Sequence, residues 1–353
     1  MSSYLLSRDL EPITIGGEQE NSVRRLVGGY GYDRRQPLPV TFPRVRNHFL
    51  NARANFWIPK EIPMGDDRKD WETEQLSPEE EYLFKVNISY LTASDSLVPD
   101  NITNVLLPLV SNYEMQQYLR WQVMEESNHL EAYLYILEAI GLDVEGQGKI
   151  FNLYQEMPEL QRKLNWSIYY SKLAANSRGF YNEDIVNIYL NIWSYLVFEF
   201  VFFPLGFAQV FALARNGKMK NSANQYQYIW RDETLHGDNE LWMLKQLQQE
   251  HPLLKDAVLE QQVLQLLDDA FLVEKEYAKA SMPNGGIPGF SVNDYLRYAR
   301  HLLNDLCDRM GMPRLYNNEA TPLNWMSTFW LTTEANFFEG RVTEYRTGGS
   351  LRF

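Results

Sequence analysis

The sequence predicts an all-α protein, one domain built as a bundle of long helices around a buried middle. Three observations carry this. Long segments such as 113–143 and 221–251 repeat apolar side chains at helical spacing. No stretch shows the sustained polar–apolar alternation of a half-buried strand. The 353 residues are 45% hydrophobic and 14% aromatic, enough material for one large core.

Residues 1–45 carry GG at 16–17 and GGYGYDRRQPLP at 28–39, and read as an irregular, mostly extended arm. The segment 77–98 opens with Ser77 as N-cap, Pro78 at the first helical position and Glu80 at the third. Pro99 is expected to end or kink that helix. Residues 101–110 read as a shorter helix, and 113–143 as a long one stopped by Gly141. Further helices are expected over 147–176, 182–217 (closed by Asn216-Gly217), 221–251, 255–281 and 291–310. MPNGGIPGF separates the last two, and the final forty or so residues lose periodicity and end in RTGGSLRF, which reads as a mobile tail.

Composition narrows the function. A net charge of −13 argues against nucleic acid or an anionic membrane as the main partner. The single cysteine, Cys307, rules out an intrachain disulfide or redox dithiol and fits a reducing cytoplasm. MSSYLLSRDLEPITIGG has no basic stretch ahead of an apolar core, so no signal peptide is expected.

One acid stands out. Glu199 lies in YLVFEFVFFPLGF (195–207), an apolar run that continues to Ala214. An ionised, unpaired carboxylate there costs several kcal/mol or more. A membrane segment with a functional acid, an outward-facing acid and an acid that meets a cation are all open. Pro204, Gly206 and the lack of a second such run weigh against the membrane reading.

The histidines decide among these. Only five occur, and two follow a glutamate by three positions: Glu126/His129 and Glu233/His236. At that spacing both side chains of a pair share one helix face. Asp95 and Glu199 supply one acid each from other helices. Two Glu-x-x-His helices plus two single acids are how carboxylate-bridged dinuclear sites are built in bundles. Four carboxylates balance two divalent cations, with neutral imidazoles as the remaining ligands. Such oxygen-rich ligation suits Fe or Mn better than structural zinc. Glu199 is then a metal ligand. Tyr133 lies on the same stripe as Glu126 and His129, where a phenol can be oxidised; on spacing alone, a plain core tyrosine fits as well.

From about Asn51 to the C-terminus the chain resembles the small, radical-generating subunit of class I ribonucleotide reductase. The resemblance rests on NARANFWIPKEIPMG (51–65), TASDSLV (92–98), EESNHLEAY (125–133), FEFVFFPLGF (198–207), QYQYIWRDETLH (225–236) and NFFEGRVTEYRTGGSLRF (336–353). It implies a ferritin-like domain over 46–335, preceded by the arm 1–45 and followed by a flexible tail, 336–353. It implies that Asp95, Glu126 and His129 hold one metal and Glu199, Glu233 and His236 the other, with Glu126 and Glu233 bridging. Tyr133 falls where the family keeps a stable tyrosyl radical, and Phe203, Phe207 and Ile229 where apolar side chains shield it. Asp232 would accept hydrogen bonds from His129 and Trp57. Trp57, Asp232 and Tyr345 would relay an electron and proton to the catalytic subunit, and Tyr228 would serve during cofactor assembly.

The resemblance further implies an oxidoreductase, ribonucleoside-diphosphate reductase, active only when this beta subunit joins the large alpha subunit through the terminal GGSLRF. Ribonucleotide reduction needs a thiyl radical and a dithiol; one cysteine cannot provide both, so a partner must. A homodimer in the cytoplasm is expected, with no nucleic-acid or membrane partner. In overall wording the chain is close to the branch that lacks the tyrosine and uses Mn/Fe. Tyr133, and Asp rather than Glu at 95, favour two Fe ions in a di-iron-oxo centre, with Mn/Mn or Mn/Fe as alternatives. Another ferritin-like di-metal oxidase or oxygenase would use the same ligands, and an iron-storage protein is a third reading.

Overall fold

The computed structural model describes residues 25–27, 38–177, 181–317 and 320–330. Its helices are α1 (Pro43–Ala54), α2 (Gly65–Glu72), α3 (Pro78–Asn101), α4 (Leu107–Leu109), α5 (Tyr113–Ala139), α6 (Val144–Phe151) and α7 (Leu153–Glu156). They continue as α8 (Pro158–Ala175), α9 (Asn182–Val197), α10 (Phe203–Arg215), α11 (Lys220–Glu250), α12 (Ala257–Ser281) and α13 (Val292–Met310). The long helices pack side by side, α3 on α5, α10 on α11, α8 on α9 and α12 on both α8 and α13.

Local chemistry sets the helix starts. Ser77 Oγ accepts from the Glu80 amide at 3.3 Å and Glu80 Oε2 accepts from the Ser77 amide at 2.8 Å, a reciprocal cap ahead of Pro78. Asn112 caps α5 through Met115 N, Asp256 caps α12 through Val258 N, and Ser291 caps α13 through Asp294 N. Gly311, at φ 71°, ends α13 in the left-handed region.

The structure differs from the expected elements at five places. Pro99 does not end α3, which runs on to Asn101 and then widens into a π-helical turn, Ile102–Leu106. The expected helix 101–110 reduces to that turn plus α4. The long apolar helix 182–217 is likewise interrupted by a π-helical turn, Phe198–Phe202, directly ahead of Pro204. A proline removes one helical N–H and crowds the preceding turn, and a wider turn relieves both. Residues 147–176 divide into α6, α7 and α8, with Pro158 starting the last. Between α12 and α13, NGGIPGF forms a two-stranded hairpin, β1 (Gly286–Ile287) against β2 (Phe290–Ser291). A Cβ at Gly286 would meet Phe290 O at 2.4 Å, so only glycine closes it.

Part of the N-terminal arm is pinned rather than free. Leu26 N donates to both carboxylate oxygens of Glu250, Ser111 N donates to Leu26 O, and Val27 bridges Val110. The stretch 182–215 is long and apolar enough to cross a membrane, but 94% of its most apolar window is buried inside the bundle. It is a core segment, and Glu199 is its one acid in the middle of that core.

Candidate metal centre

Four elements bring the acids and imidazoles together. Asp95 comes from α3, Glu126 and His129 from α5, Glu199 from the π-helical turn after α9, and Glu233 and His236 from α11. All six side chains are fully buried. They form two overlapping groups, Asp95–Glu126–His129–Glu233 and Glu126–Glu199–Glu233–His236. Within each group the ligand atoms lie within 4.8 Å of one another, and Glu126 and Glu233 belong to both.

The distances are those of a closed cluster. His129 Nδ1 is 3.1 Å from Glu233 Oε1, 3.5 Å from Glu126 Oε2 and 3.9 Å from Asp95 Oδ2. His236 Nδ1 is 2.7 Å from Glu233 Oε2, 3.1 Å from Glu126 Oε1 and 3.8 Å from Glu199 Oε2. The two rings stand 6.0 Å apart. Each histidine therefore points Nδ1 inward and leaves Nε2 to a carboxylate behind it. Asp232 Oδ2 is 3.4 Å from His129 Nε2, and Glu125 Oε2 is 3.1 Å from His236 Nε2.

The buried charges shift one another strongly. Burial, then Glu233 and Glu126, push Asp95 well above the usual carboxylate range. Burial and Glu233 do the same to Glu199. Burial opposes charge on the histidines too, but Glu233 raises His129 and Glu126 raises His236 well above the ordinary value. Burial also opposes charge on Glu233, yet the two imidazoles hold it below the carboxylate range. Burial and mutual repulsion thus favour protonation of Asp95 and Glu199 where no cation balances them, and metal binding would displace the protons.

The donor set fits a metal pair on independent grounds. Both oxygens of Asp95 and of Glu126, Oε2 of Glu199 and Oε1 of Glu233 are buried without a hydrogen-bond partner. Buried carboxylate oxygens without partners carry a large desolvation penalty that ligation removes. The remaining Glu199 oxygen accepts from Gln122 Nε2 at 3.3 Å.

Around this centre lie the other residues singled out in the sequence. Trp57 Nε1 donates to Asp232 Oδ2 at 2.7 Å, and Arg231 holds Asp232 Oδ1 at 3.1 Å. Against the effect of burial, Arg231 and His129 keep the Asp232 carboxyl below its usual range. Tyr228 stacks obliquely on Trp57, centroids 5.2 Å apart. Tyr133 is fully buried beside Asp95, its hydroxyl without a hydrogen bond of normal geometry, and burial and then Asp95 push its phenol well up. Phe203, Phe207 and Ile229 are buried. Phe203 and Phe207 stack at 6.2 Å, and Phe207 meets Tyr226 edge-on at 5.7 Å. Tyr226 in turn lies edge-on to Tyr133 at 5.8 Å, so it intervenes between Phe207 and Tyr133. Tyr345 and the tail 336–353 lie outside the described residues.

Sequence reasoning missed Glu125, Gln122, Glu240 and Tyr226. Glu240 is buried one turn beyond His236, with Oε2 unpartnered. Glu125 had a signal, since an acid next to Glu126 cannot share its helix face and must point at a neighbouring element. Tyr226 had none, because QYQYIW reads as aromatic core.

The fold and this cluster define a ferritin-like helix bundle with a buried carboxylate–histidine site able to hold a dinuclear metal. The family model described as ribonucleotide reductase, small chain, matches residues 34–322. Ribonucleoside-diphosphate reductase subunit beta of Chlamydia pneumoniae is 33% identical over 339 residues, covering 94% of this chain and 96% of that one. The ribonucleoside-diphosphate reductase small chain of Vaccinia virus (strain Ankara) is 28% identical, covering 89% and 92%. Among solved structures, the ribonucleotide reductase R2 subunit of Clostridium botulinum superposes with a TM-score of 0.80 at 23% identity, covering 87% and 94%. The dimanganese(II)-NrdF of Streptococcus sanguinis superposes at 0.72 and 19% identity, covering 85% and 99%, a likeness of fold. The chain belongs to the ribonucleotide reductase small-chain family. A small subunit of this family works with a large one.

Proposed function

We propose that this subunit generates a tyrosyl radical at Tyr133 and relays its oxidising equivalent to a cysteine-bearing large subunit, which reduces ribonucleotides. The observation that carries the reading is the place of Tyr133: a buried phenol beside Asp95, at the edge of a ligand set that could hold two metals. Asp95, Glu126 and His129 would hold one ion and Glu199, Glu233 and His236 the other, Glu126 and Glu233 bridging. A metal pair bound by these residues would supply, with O₂, one-electron oxidising power.

The chain's own residues then do the rest. Tyr133 loses an electron, its O–H bond breaks, and Asp95 is the carboxylate beside it that can take the proton. The buried apolar side chains of Phe203, Phe207 and Ile229 exclude water from this part of the core. Asp232 orients His129 and accepts from Trp57, and so links the centre to the indole. Trp57, Asp232 and Tyr345 form the outward relay, Tyr228 serves beside Trp57 during assembly, and the tail 336–353 docks on the large subunit. One cysteine, Cys307, buried in α13, leaves the thiol chemistry to that partner. The subunit acts as a cytoplasmic homodimer.

Two Fe ions are the metals we assign. A Mn-containing pair uses the same ligands, and the S. sanguinis neighbour is dimanganese. The test is EPR on metal-free protein given Fe(II) and then O₂, with Tyr133→Phe beside it. A stable organic radical in the wild type and none in the variant is expected. No radical with iron alone would move the assignment to manganese, in a pair or with iron.

A further inference from the structure

A second buried charge lies away from the ligands. Lys163 on α8 places Nζ 2.6 Å from Glu274 Oε1 on α12, and both side chains are 0% exposed. The ammonium sits over the rings of Tyr90 at 3.6 Å, Tyr277 at 4.1 Å and Phe202 at 4.7 Å. The other carboxylate oxygen, Glu274 Oε2, accepts from the Tyr295 hydroxyl on α13 at 2.6 Å. Apolar side chains of similar volume would fill this space without the desolvation cost of two ions.

The group is joined to Tyr133 by a continuous buried path. Tyr133 and Tyr226 meet edge-on at 5.8 Å. The Tyr226 hydroxyl donates to Asn87 Oδ1 at 2.9 Å, and Asn87 Nδ2 donates to Gln209 Oε1 at 2.8 Å. The same Gln209 oxygen accepts from the Tyr277 hydroxyl at 3.0 Å. Tyr277 and Tyr295 rings stand 6.2 Å apart. All four tyrosines are buried, and neither Trp57 nor Asp232 is among these contacts.

The partners of the hydroxyls decide where an oxidising equivalent can rest. A phenol that loses an electron becomes a strong acid and needs a base within hydrogen-bond reach. Tyr226 and Tyr277 donate to neutral amide oxygens, which do not take the proton. Tyr295 donates to a carboxylate. We propose that Tyr226, Tyr277 and Tyr295 form an inward branch from Tyr133, and that Tyr295 receives the oxidising equivalent when no large subunit is engaged. This rests on the radical reading of Tyr133.

The step balances within the chain. One electron passes from Tyr295 through Tyr277 and Tyr226 to the Tyr133 phenoxyl. The Tyr295 O–H bond breaks and its proton moves to Glu274 Oε2. Tyr133 becomes a phenol again by recovering the proton it gave to Asp95. Lys163 loses its anionic partner but keeps three ring faces around the ammonium, which compensate the charge.

The test uses full-length protein loaded with Fe(II) and O₂, without the large subunit, and reads the organic radical by EPR over time. Tyr295→Phe removes the terminus, and Tyr277→Phe breaks the branch at another helix. In both, the Tyr133 radical should live severalfold longer than in the wild type. Wild type made with ring-deuterated tyrosine should show a second, later signal that collapses as tyrosine does and is absent in Tyr295→Phe. Peptide mapping after repeated O₂ cycling should find oxidised Tyr295 in the wild type. A Tyr133 radical with the same lifetime in all three proteins and no second signal would overturn the branch while leaving the radical reading intact. Absence of any Tyr133 radical would overturn both.

Discussion

Trp57 and Asp232 are joined across 175 positions by a buried 2.7 Å hydrogen bond from the indole Nε1 to Oδ2. The same oxygen lies 3.4 Å from His129 Nε2, so one atom ties the segment ahead of α2 to a candidate metal ligand on α5. Two donors on one carboxylate oxygen fix both the ring of His129 and the indole.

Trp57→Phe keeps the ring's bulk but removes the donor. Losing this buried hydrogen bond should cost ~1–3 kcal/mol of stability. Nucleotide reduction with the large subunit should be abolished, because the outward relay is cut. Tyr345→Phe separates the two effects: it should form the radical normally, keep wild-type stability and still fail in nucleotide reduction. Normal turnover in Tyr345→Phe, measured with the large subunit present, would remove Tyr345 from the relay.

Glu125 stands to His236 as Asp232 stands to His129. Its Oε2, 3.1 Å from His236 Nε2, sets the tautomer that leaves Nδ1 for a metal. Glu125→Gln keeps the shape but loses the charge that makes the imidazole a better donor. Metal affinity at one of the two sites should fall by about 10–100-fold, with the other little changed. Calorimetric titration of metal-free protein would separate the two sites. Glu131→Gln, an exposed change on the same helix, is the control; equal behaviour of the two variants would leave Glu125 without a role at the site.

His48 predicts a pH dependence. Its Nε2 lies 2.9 Å from the carbonyl of Leu235, the residue before His236, so Nε2 must carry the hydrogen. Burial, aided by Arg44, holds its pKa below the ordinary 6.5 despite that bond. The unfolded chain therefore binds the proton first as pH falls. Stability contributed by neutral His48 is present above 6.5, is lost as pH falls toward the folded value, and levels off below it. His48→Gln retains a donor for Leu235 and removes the titration. Denaturant unfolding on either side of that value should show a smaller acid loss in the variant; an identical loss would place the titration elsewhere.

The sequence carried the centre further than it carried the helices. The i, i+3 pairs at Glu126/His129 and Glu233/His236 are local, because a helix fixes them on one face. Glu199 was legible as an acid in an apolar run. The π-helical turn that carries it was not, since turn width depends on how Pro204 and the neighbouring helices pack. Pro99 shows the same limit: its rule predicts an end or a kink, yet α3 runs on through it to Asn101, and the π turn at 102–106 comes after it, ahead of Pro108. Glu125 was marked locally only as an acid on another face from Glu126. Its partner His236 lies 111 positions away, and Tyr226 meets Tyr133 from a similarly remote place in the chain, so no local pattern named either contact. The hairpin at 286–291 is too short for alternation to register.

Gly237, next to His236, shows how closely α11 approaches the π-helical turn. A Cβ there would stand 2.7–2.9 Å from three ring atoms of Phe200, the residue after Glu199. Gly237→Ala gains up to ~1 kcal/mol in helix propensity but adds a methyl group where a ring already sits, at ~1–3 kcal/mol. The net expectation is a modest loss of stability. The more telling effect is on binding: Phe200 must move, and with it the backbone that positions Glu199 against His236 Nδ1, 3.8 Å away. The weakened site should be the one Glu199 serves, and Phe200→Leu in the same chain should restore it by giving the methyl room. Thermal unfolding and metal titration of the single and double variants check this. A Gly237→Ala protein with unchanged stability and unchanged affinity at both sites would mean that Phe200 swings aside without moving Glu199.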